Sequence, residues 1–216
     1  MKMPSILNSN GRTLLVLIHL SLVLAGGRAS ANPHGMTVVS GSAHSTQQGN
    51  VLQITTSQNT FLRWNSFNIA AGETTIFNQP SASSIVFNYV RNGNPSSIFG
   101  SLQANGIVVL ENQSGFFFGP NAFVKAAGLV VTTAAINPWA SAGGAGWSFD
   151  GPPAATPIVN YGRLETAAGG SLFLIAKQIE NYGTIEAPGG TAALIAGQQV
   201  LLSERADGLS LSAPVQ

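Results

Sequence analysis

Residues able to do acid–base, metal or nucleophilic chemistry are few and scattered along the chain. The 216 residues include no Cys, which excludes a disulfide scaffold, a cysteine zinc site and a thiol nucleophile. His34 and His44, the histidines beyond residue 31, lack a partner at metal-binding spacing. A calcium site or a polysaccharide-lyase site needs clustered acids, but the aspartates, Asp150 and Asp207, lie far apart in the sequence. We therefore expect no catalytic residue, no metal and no cofactor.

Charged residues are too sparse for electrostatic binding of nucleic acid. They make up 8% of the chain, and the formal net charge is +1, so a strongly basic binding surface is excluded. Glu165, Glu180 and Glu186 accompany an internal repeat, and we interpret them as solvated residues that discourage edge-to-edge pairing of sheets. The glycine-rich segment 143–146 lacks the strand-to-helix context of a phosphate-binding loop, so it predicts a flexible loop.

Residues 1–31 have the pattern of a secretory signal peptide. Lys2 and Arg12 precede an apolar run over 14–25, and small residues follow up to the Ala-Ser-Ala sequence that ends at Ala31. The run is shorter than the roughly 20 apolar residues of a membrane span. Cleavage after Ala31 would leave six basic and eight acidic residues, a net charge of about −2. We expect an exported, soluble protein that uses the general secretion machinery.

Beyond the signal peptide, the chain is a series of short strands separated by Gly, Asn, Pro and Ser. Runs rich in Val, Ile, Phe and Thr lie between Val51 and Ile195, and no long stretch has helical periodicity. The Asn-Tyr-Gly sequence that begins at Asn160 recurs at Asn181. This spacing is close to the roughly 20 residues that form one turn of a three-stranded β-solenoid. We predict an all-β, parallel β-helix with coils of about 20 residues and very little helix.

Stacking of such coils predicts which residues meet. Matching positions lie above one another at the strand spacing of about 4.8 Å, so Asn160 and Asn181 should form an amide ladder and their neighbouring tyrosines an aromatic stack. The repeated Leu174 and Leu194 are predicted to point into the coil. A segment rich in Pro and small residues, 138–157, interrupts the pattern and predicts a low-complexity surface loop.

The segment 33–136 carries many short motifs in a fixed order. They include Trp64-Asn65-Ser66-Phe67-Asn68, Asn88-Tyr89-Val90, Leu102-Gln103-Ala104-Asn105-Gly106 and Gly115-Phe116-Phe117-Phe118-Gly119. This set closely resembles the N-terminal secretion domain of filamentous-haemagglutinin-like exoproteins of two-partner secretion. The resemblance implies a right-handed parallel β-helix with an N-terminal cap. It also implies division into a signal peptide (1–31), a secretion or haemagglutination-activity domain (32–137), the loop (138–157) and β-helix repeats (158–216).

The partner that the resemblance implies is an outer-membrane transporter barrel whose periplasmic POTRA domains recognise the secretion domain. A host-cell surface is a further expected partner, because the family includes adhesins, and the expected location is secreted or cell-surface after passage through the periplasm. Family exoproteins are usually far longer, so the sequence leaves open whether the chain, with its repeats over 158–216, is full length, truncated or degenerate.

The residues expected to take part in transporter recognition are polar and glycine positions of the motifs: Asn65, Asn68, Asn88, Asn105, Gly106, Asn112, Gly115 and Gly119. The usual family sequence Asn-Pro-Asn-Gly is Asn112-Gln113-Ser114-Gly115 here, so the first and last positions match. Asn and Gly tolerate positive φ, which predicts that they bracket a sharp corner. Loss of the proline removes a fixed φ and predicts a looser turn.

Two other functional classes remain open on the sequence. A β-helix enzyme acting on polysaccharide would need a clustered acid and base, and no such cluster is visible in the sequence. A structural or self-transporting solenoid would need no separate transporter, and a fused C-terminal barrel would favour it. Two-partner secretion would instead be favoured by a transporter gene encoded beside this one.

Overall fold

The structure, a computed structural model, describes residues 31–136, 147–148, 153–196, 201–205 and 208–212. These residues form strands, turns and bends and no helix. Consequently, no described helix is long and apolar enough to span a membrane. The predicted signal peptide lies outside the described residues except for Ala31.

Three sheets run along the molecule, and a fourth small sheet accompanies them. Strands are numbered in chain order. Sheet 1 contains β1 (Thr37–Ser40), β4 (Thr60–Trp64), β6 (Ile85–Val90), β9 (Ile107–Glu111), β12 (Gly128–Thr132), β16 (Leu172–Ala176) and β19 (Ala192–Ala196). Sheet 2 contains β7 (Ser96–Ile98), β10 (Phe116–Phe118), β14 (Ile158–Asn160) and β17 (Ile179–Asn181). Sheet 3 contains β2 (Ala43–Gln48), β3 (Val51–Thr56), β5 (Thr74–Asn78), β8 (Ser101–Ala104), β11 (Phe123–Ala126), β15 (Arg163–Thr166) and β18 (Thr184–Glu186). The small sheet pairs β13 (Trp147–Ser148), β20 (Leu201–Arg205) and β21 (Gly208–Ser212) antiparallel.

The chain winds from sheet 3 to sheet 1 to sheet 2 and back, which makes a parallel β-helix. From β3 onward, every neighbouring pair in sheet 3 is parallel, and the six strands mark six turns. One turn carries the chain from Ser101 to its partner Phe123, and a later turn carries it from Arg163 to its partner Thr184. The predicted fold class is confirmed, and so is the predicted length of a coil.

The N-terminal end of the helix is closed by strands of opposite direction. β2 pairs antiparallel with β3, and β1 pairs antiparallel with β4, so both cover the first coil. The segment before them is also anchored, because the Ala31 N–H donates to the buried Glu73 carboxylate at 2.9 Å. The Asn32 side-chain amide donates to the Asn50 carbonyl at 3.2 Å. The expected N-terminal cap is therefore present.

The interior is filled by the alternate residues of each strand that point toward the helix axis. Leu174 is fully buried, as predicted, and packs with the inward residues of the other sheets. Leu194 lies directly over Leu174 in the parallel pairing but is 47% exposed, because its strand is the last of sheet 1. The predicted face is thus correct for both residues, whereas full burial holds for Leu174 alone.

Equivalent residues of the sequence repeat stack as the coil model requires. The Asn160 amide donates to the Asn181 side-chain oxygen at 2.7 Å, and the rings of Tyr161 and Tyr182 stack with centroids 4.8 Å apart. The glycines that follow them leave no room for a side chain, since a Cβ on Gly183 would lie 2.1 Å from the carbonyl oxygen of the previous coil's glycine. The repeat therefore encodes both the ladder and the close backbone approach beside it.

The repeated glutamates have a more specific role than the one predicted. Glu165 accepts from Lys125 at 2.6 Å and from Arg163 at 3.0 Å, and Arg163 also contacts Glu186 at 2.9 Å. The Lys125–Glu165 and Arg163–Glu186 pairs join successive coils on the outer face of sheet 3, whereas Arg163–Glu165 lies within one strand. Glu180 instead accepts hydrogen bonds within its own coil, from Gln178 at 2.7 Å and from a tyrosine hydroxyl. Two of the three glutamates are thus inter-coil contacts and not merely solvated edge residues.

The predicted low-complexity loop lies largely outside the described residues. Within it, Trp147–Ser148 forms β13, which pairs with β20. After β12, the next described strand of sheet 2 is β14, which pairs parallel with β10. The register of sheet 2 therefore continues across the interruption.

Replacing Leu174 with Asp should unfold the neighbouring coils, because an unpaired buried charge costs several kcal/mol. Gln178→Asp at the adjacent exposed corner is the matched control and should change the melting temperature little. Thermal unfolding followed by circular dichroism measures both variants. Equal melting temperatures would contradict the inward assignment of Leu174.

The Lys125 ammonium lowers the pKa of the Glu165 carboxyl below its ordinary value of 4.5. The largest cause is the hydrogen bond that Lys125 donates to this carboxylate. Because the folded pKa is lowered, the associated stability is present above the unfolded pKa and is lost as pH falls through the folded pKa. Lys125→Gln should raise the pKa of Glu165 toward 4.5 in an NMR titration. Lys177→Gln, at an exposed corner, should leave it unchanged. An unchanged pKa in Lys125→Gln would show that the ion pair is absent in solution.

Candidate functional site: the turn at residues 112–115 and the coil corners

The turn at residues 112–115 connects sheet 1 to sheet 2 in the third coil. The Gly115 N–H donates to the Asn112 carbonyl at 3.0 Å, and the Ser114 N–H donates to the Asn112 side-chain oxygen at 2.9 Å. Neither Gln113 nor Ser114 has a positive φ, which excludes type II and primed turns and leaves a type I geometry. A type I turn favours proline at its second residue, which is position 113 here. Gln113 therefore stands at a position where the turn also accepts the proline of the family sequence.

The predicted positive φ is present at Gly115 and absent at Asn112. Gly115 has φ +98°, and a Cβ there would lie 2.7 Å from the Pro157 carbonyl oxygen of the next coil. Among the described non-glycine residues, Asn59 has a positive φ and Asn112 does not, so Asn112 and Gly115 bracket the corner without the positive φ predicted for Asn112. Side-chain hydrogen bonding, and not backbone freedom, therefore explains why Asn is suited to position 112.

Asn112 holds two coils together from a buried position. The residue is only 1% exposed, and its side-chain amide donates to the Asn94 carbonyl at 2.9 Å and to the Ser96 hydroxyl at 3.0 Å. Ser96 and Asn94 belong to the preceding coil, so the turn is fixed to the corner beneath it. Sequence reasoning missed both partners, although the Asn-Pro-Ser-Ser run at 94–97 carries a turn signal of its own.

Asn65 and Asn68 lie at the equivalent corner of the first coil, not beside Asn112. The Asn65 N–H donates to the His34 carbonyl at 3.1 Å, which ties the N-terminal segment to this corner. The Asn68 side-chain oxygen accepts from the Ser97 N–H at 2.8 Å and so bridges to the second coil. Both asparagines therefore make structural contacts along the same edge of the helix.

Asn88 lies inside the coil. It is 1% exposed, and its side-chain oxygen accepts from the Trp64 indole N–H at 2.9 Å. Its amide lies 3.3 Å from the Val109 carbonyl of the next strand. A buried indole N–H needs such a partner, which accounts for Asn88 without any contact to another protein.

Asn105, Gly106 and Gly119 occupy the other two edges of the helix. The Asn105 side chain pairs with the backbone of Gln79, with both hydrogen bonds at 2.7 Å. Gly106 leaves space for the Gln79 amide, and Gly119 leaves space for the Phe99 ring, since a Cβ on either would lie 2.4 Å from these side chains. The eight predicted residues thus do not form one surface. Four lie along one edge of the helix (Asn65, Asn68, Asn112 and Gly115), Asn105 and Gly106 lie at a second edge, Gly119 at the third, and Asn88 inside the coil.

A groove that sequence reasoning did not predict lies beside this turn. It has a volume of about 700 Å³ and opens on the outer face of sheet 1, next to Gln113 and Ser114. The rings of Phe61 and Phe87 stack in its floor with centroids 4.0 Å apart. Arg63, Tyr89 and Arg91 also line it, and the Arg91 guanidinium lies 4.7 Å from the centre of the Tyr89 ring. The sequence signal for this groove was the placement of Phe61 and Arg63 at alternate positions of one strand.

Acidic and metal-binding residues do not cluster in the part of the chain that the structure describes. No group of three or more His, Asp and Glu side chains there could hold a metal ion. Glu73 and Glu111 are the buried acids, and each accepts backbone hydrogen bonds: Glu73 from Ala70 at 2.9 Å and Glu111 from Ile136 at 3.2 Å. Their observed role is to satisfy backbone donors where the chain enters or leaves the helix.

Comparison with known proteins places this architecture among exoprotein secretion domains. The crystal structure of the HMW1 secretion domain from Haemophilus influenzae superposes with a TM-score of 0.75 and 32% sequence identity, over 80% of this chain and 46% of that chain. The family model of the TPS secretion domain matches residues 29–213. The chain belongs to the TPS secretion domain family, and it is the secretion domain of a two-partner exoprotein. The match includes both the segment 33–136 and the repeats that follow it.

Two curated relatives share part of this sequence. A heme/hemopexin-binding protein of Haemophilus influenzae strain Rd is 37% identical over 123 residues, which is 56% of this chain and 14% of the relative. A second heme/hemopexin-binding protein of Haemophilus influenzae is 40% identical over 70 residues, 32% of this chain and 8% of the relative. The chain therefore matches only a small fraction of each relative's length.

Asn112→Ala should lower the free energy of unfolding by about 1–3 kcal/mol, because the buried Ser96 hydroxyl and the Ser114 N–H each lose a partner. Gln113→Pro is the matched change at the exposed neighbour and should raise stability by about 0.4–1 kcal/mol, since the turn accepts the φ of proline. Chemical denaturation of both variants gives the two values. Destabilisation by Gln113→Pro would exclude the type I turn.

Proposed function

We propose that the chain is an exported exoprotein, or the N-terminal part of one, whose secretion domain is recognised by the POTRA domains of an outer-membrane transporter barrel. Membership of the TPS secretion domain family carries this proposal. The chain enters the periplasm through the general secretion machinery after recognition of a signal peptide at 1–31, and it is released or displayed at the cell surface. The role is one of recognition and display, not of catalysis.

The mode of recognition is β-augmentation, in which a strand of one protein extends a sheet of another. β1 and β2 are the terminal strands of sheets 1 and 3, and the residues of both are largely exposed. Because each has a strand neighbour on one side only in its sheet, a transporter strand would pair at the outer edge. Outside the cell, each folded coil then provides a template for the next, so folding itself favours outward movement.

Adhesion to a host-cell surface is the activity that we propose for the whole exoprotein, as in filamentous-haemagglutinin-like proteins. A second candidate is binding of heme or hemopexin, which is favoured by the names of the two curated relatives. The two activities differ in their ligand and share the same route of export. Binding of the exported protein to host cells, and separately to hemopexin, distinguishes them.

Export of the full chain in a two-plasmid bacterial system tests the proposed route. We expect the chain in the medium or on the cell surface only when a two-partner-secretion transporter from the same genome is co-expressed. Deletion of residues 2–31 is the control and should retain the chain in the cytoplasm. Equal export without the transporter would overturn the proposal and favour a self-sufficient solenoid. Hydrolysis of polysaccharide by the exported chain would favour the enzyme class instead.

A further inference from the structure

The buried Glu73 carboxylate has no positively charged partner among the described residues. Glu73 is only 6% exposed, and no described Lys, Arg or His side chain lies within 4.0 Å of its oxygens. These oxygens instead accept neutral backbone N–H groups, one from Ala31 and one from Ala70, each at 2.9 Å. Burial of a carboxylate without an opposite charge destabilises a fold. The surroundings of Glu73 therefore favour a cation that the described chain does not supply.

Asn32 is held near this carboxylate by its own side chain. The residue is 3% exposed, and its side-chain oxygen accepts from the buried Thr75 hydroxyl at 3.0 Å. Its side-chain amide donates to the Asn50 carbonyl at 3.2 Å. The backbone nitrogen of Asn32 is the next one along the chain after the Ala31 nitrogen that contacts Glu73. Asn32 therefore keeps its place beside Glu73 when the residues before it are removed.

The predicted cleavage of the signal peptide falls at this point of the chain. Hydrolysis of the peptide bond between Ala31 and Asn32 consumes one water and leaves a carboxylate on Ala31 and an ammonium on Asn32. It removes the neutral N–H donor of Ala31 and places a positive charge on the adjacent nitrogen. A hydrogen bond between ionised groups is roughly twice as strong as one between neutral groups. The new ammonium is therefore a better partner for Glu73 than the donor that it replaces.

We infer that removal of the signal peptide creates an ion pair between the Asn32 α-ammonium and the Glu73 carboxylate, and that this pair locks the N-terminal cap. The inference rests on the proposed function, because it requires cleavage after Ala31. A chain that retains residues 1–31 has no such ammonium and closes the cap with a neutral hydrogen bond alone. Because Asn32 is buried in the folded cap and a peptidase needs an accessible chain, cleavage precedes folding. The ion pair then forms when the first coils assemble outside the cell.

A double-mutant cycle on the purified mature chain, residues 32–216, tests the ion pair. The chain is released from a fusion protein so that Asn32 is its first residue, and its terminal amine is either kept or converted to a neutral ketone by transamination. Loss of the amine should lower the folded-to-unfolded ratio about tenfold in the wild type and little in Glu73→Gln, because the pair is already broken there. Glu180→Gln, which removes a carboxylate of sheet 2, is the control and should keep the tenfold loss. Chemical denaturation measures each ratio. No loss in the wild type, or equal losses in the wild type and Glu73→Gln, would overturn the inference.

N-terminal sequencing of the exported chain separates this inference from the proposed function. We expect the first residue to be Asn32 when the full chain is exported with its transporter. A different first residue, with export still dependent on the transporter, overturns the inference and leaves the proposed function standing. Export that needs no transporter overturns the proposed function, and the denaturation cycle still decides the ion pair, because it uses the purified chain alone.

Discussion

Parallel pairing between successive coils is the constraint on which the whole structure depends. Each strand finds its backbone partners in the coils before and after it, so every corner must bring the chain back at the same height and in the same register. A corner that is one residue out of register would turn the inward side chains outward. Side chains at the corners enforce the register: Asn112 binds the corner beneath it, Asn68 the one above, and Asn105 pairs with the backbone of Gln79.

Much of the fold is predictable because identical residues recur at the height of one coil. The Asn-Tyr-Gly repeat at Asn160 and Asn181 predicts the period, the ladder and the stacked tyrosines, and all three are present. Several of the strands that the sequence did not reveal lack a run of apolar residues. β2 is a polar edge strand, and β7 and β8 are short and contain Ser. They are strands because neighbouring coils offer them partners, which local propensity does not record.

The candidate site was less predictable, because motif residues serve the fold in different ways. Asn112 and Gly115 share a turn, yet one is suited to it by its hydrogen bonds and the other by its φ. Asn88 is buried against an indole, and an amide that binds a neighbouring coil looks the same in sequence as one that binds a partner. The groove was missed because its residues come from separate coils, and only the pairing of Arg63 with Tyr89 brings them together.

The contact between Gly162 and Gly183 has a consequence for how such proteins change length. Because the backbone of one coil rests directly on that of the next, the molecule tolerates no insertion of a few residues in this layer. Insertion or loss of one whole repeat, in contrast, restores every contact, including the amide ladder and the tyrosine stack. Unequal recombination between repeats would therefore give a folded product only when it adds or removes whole coils. Length variants that keep this layer stacked should accordingly differ by whole turns.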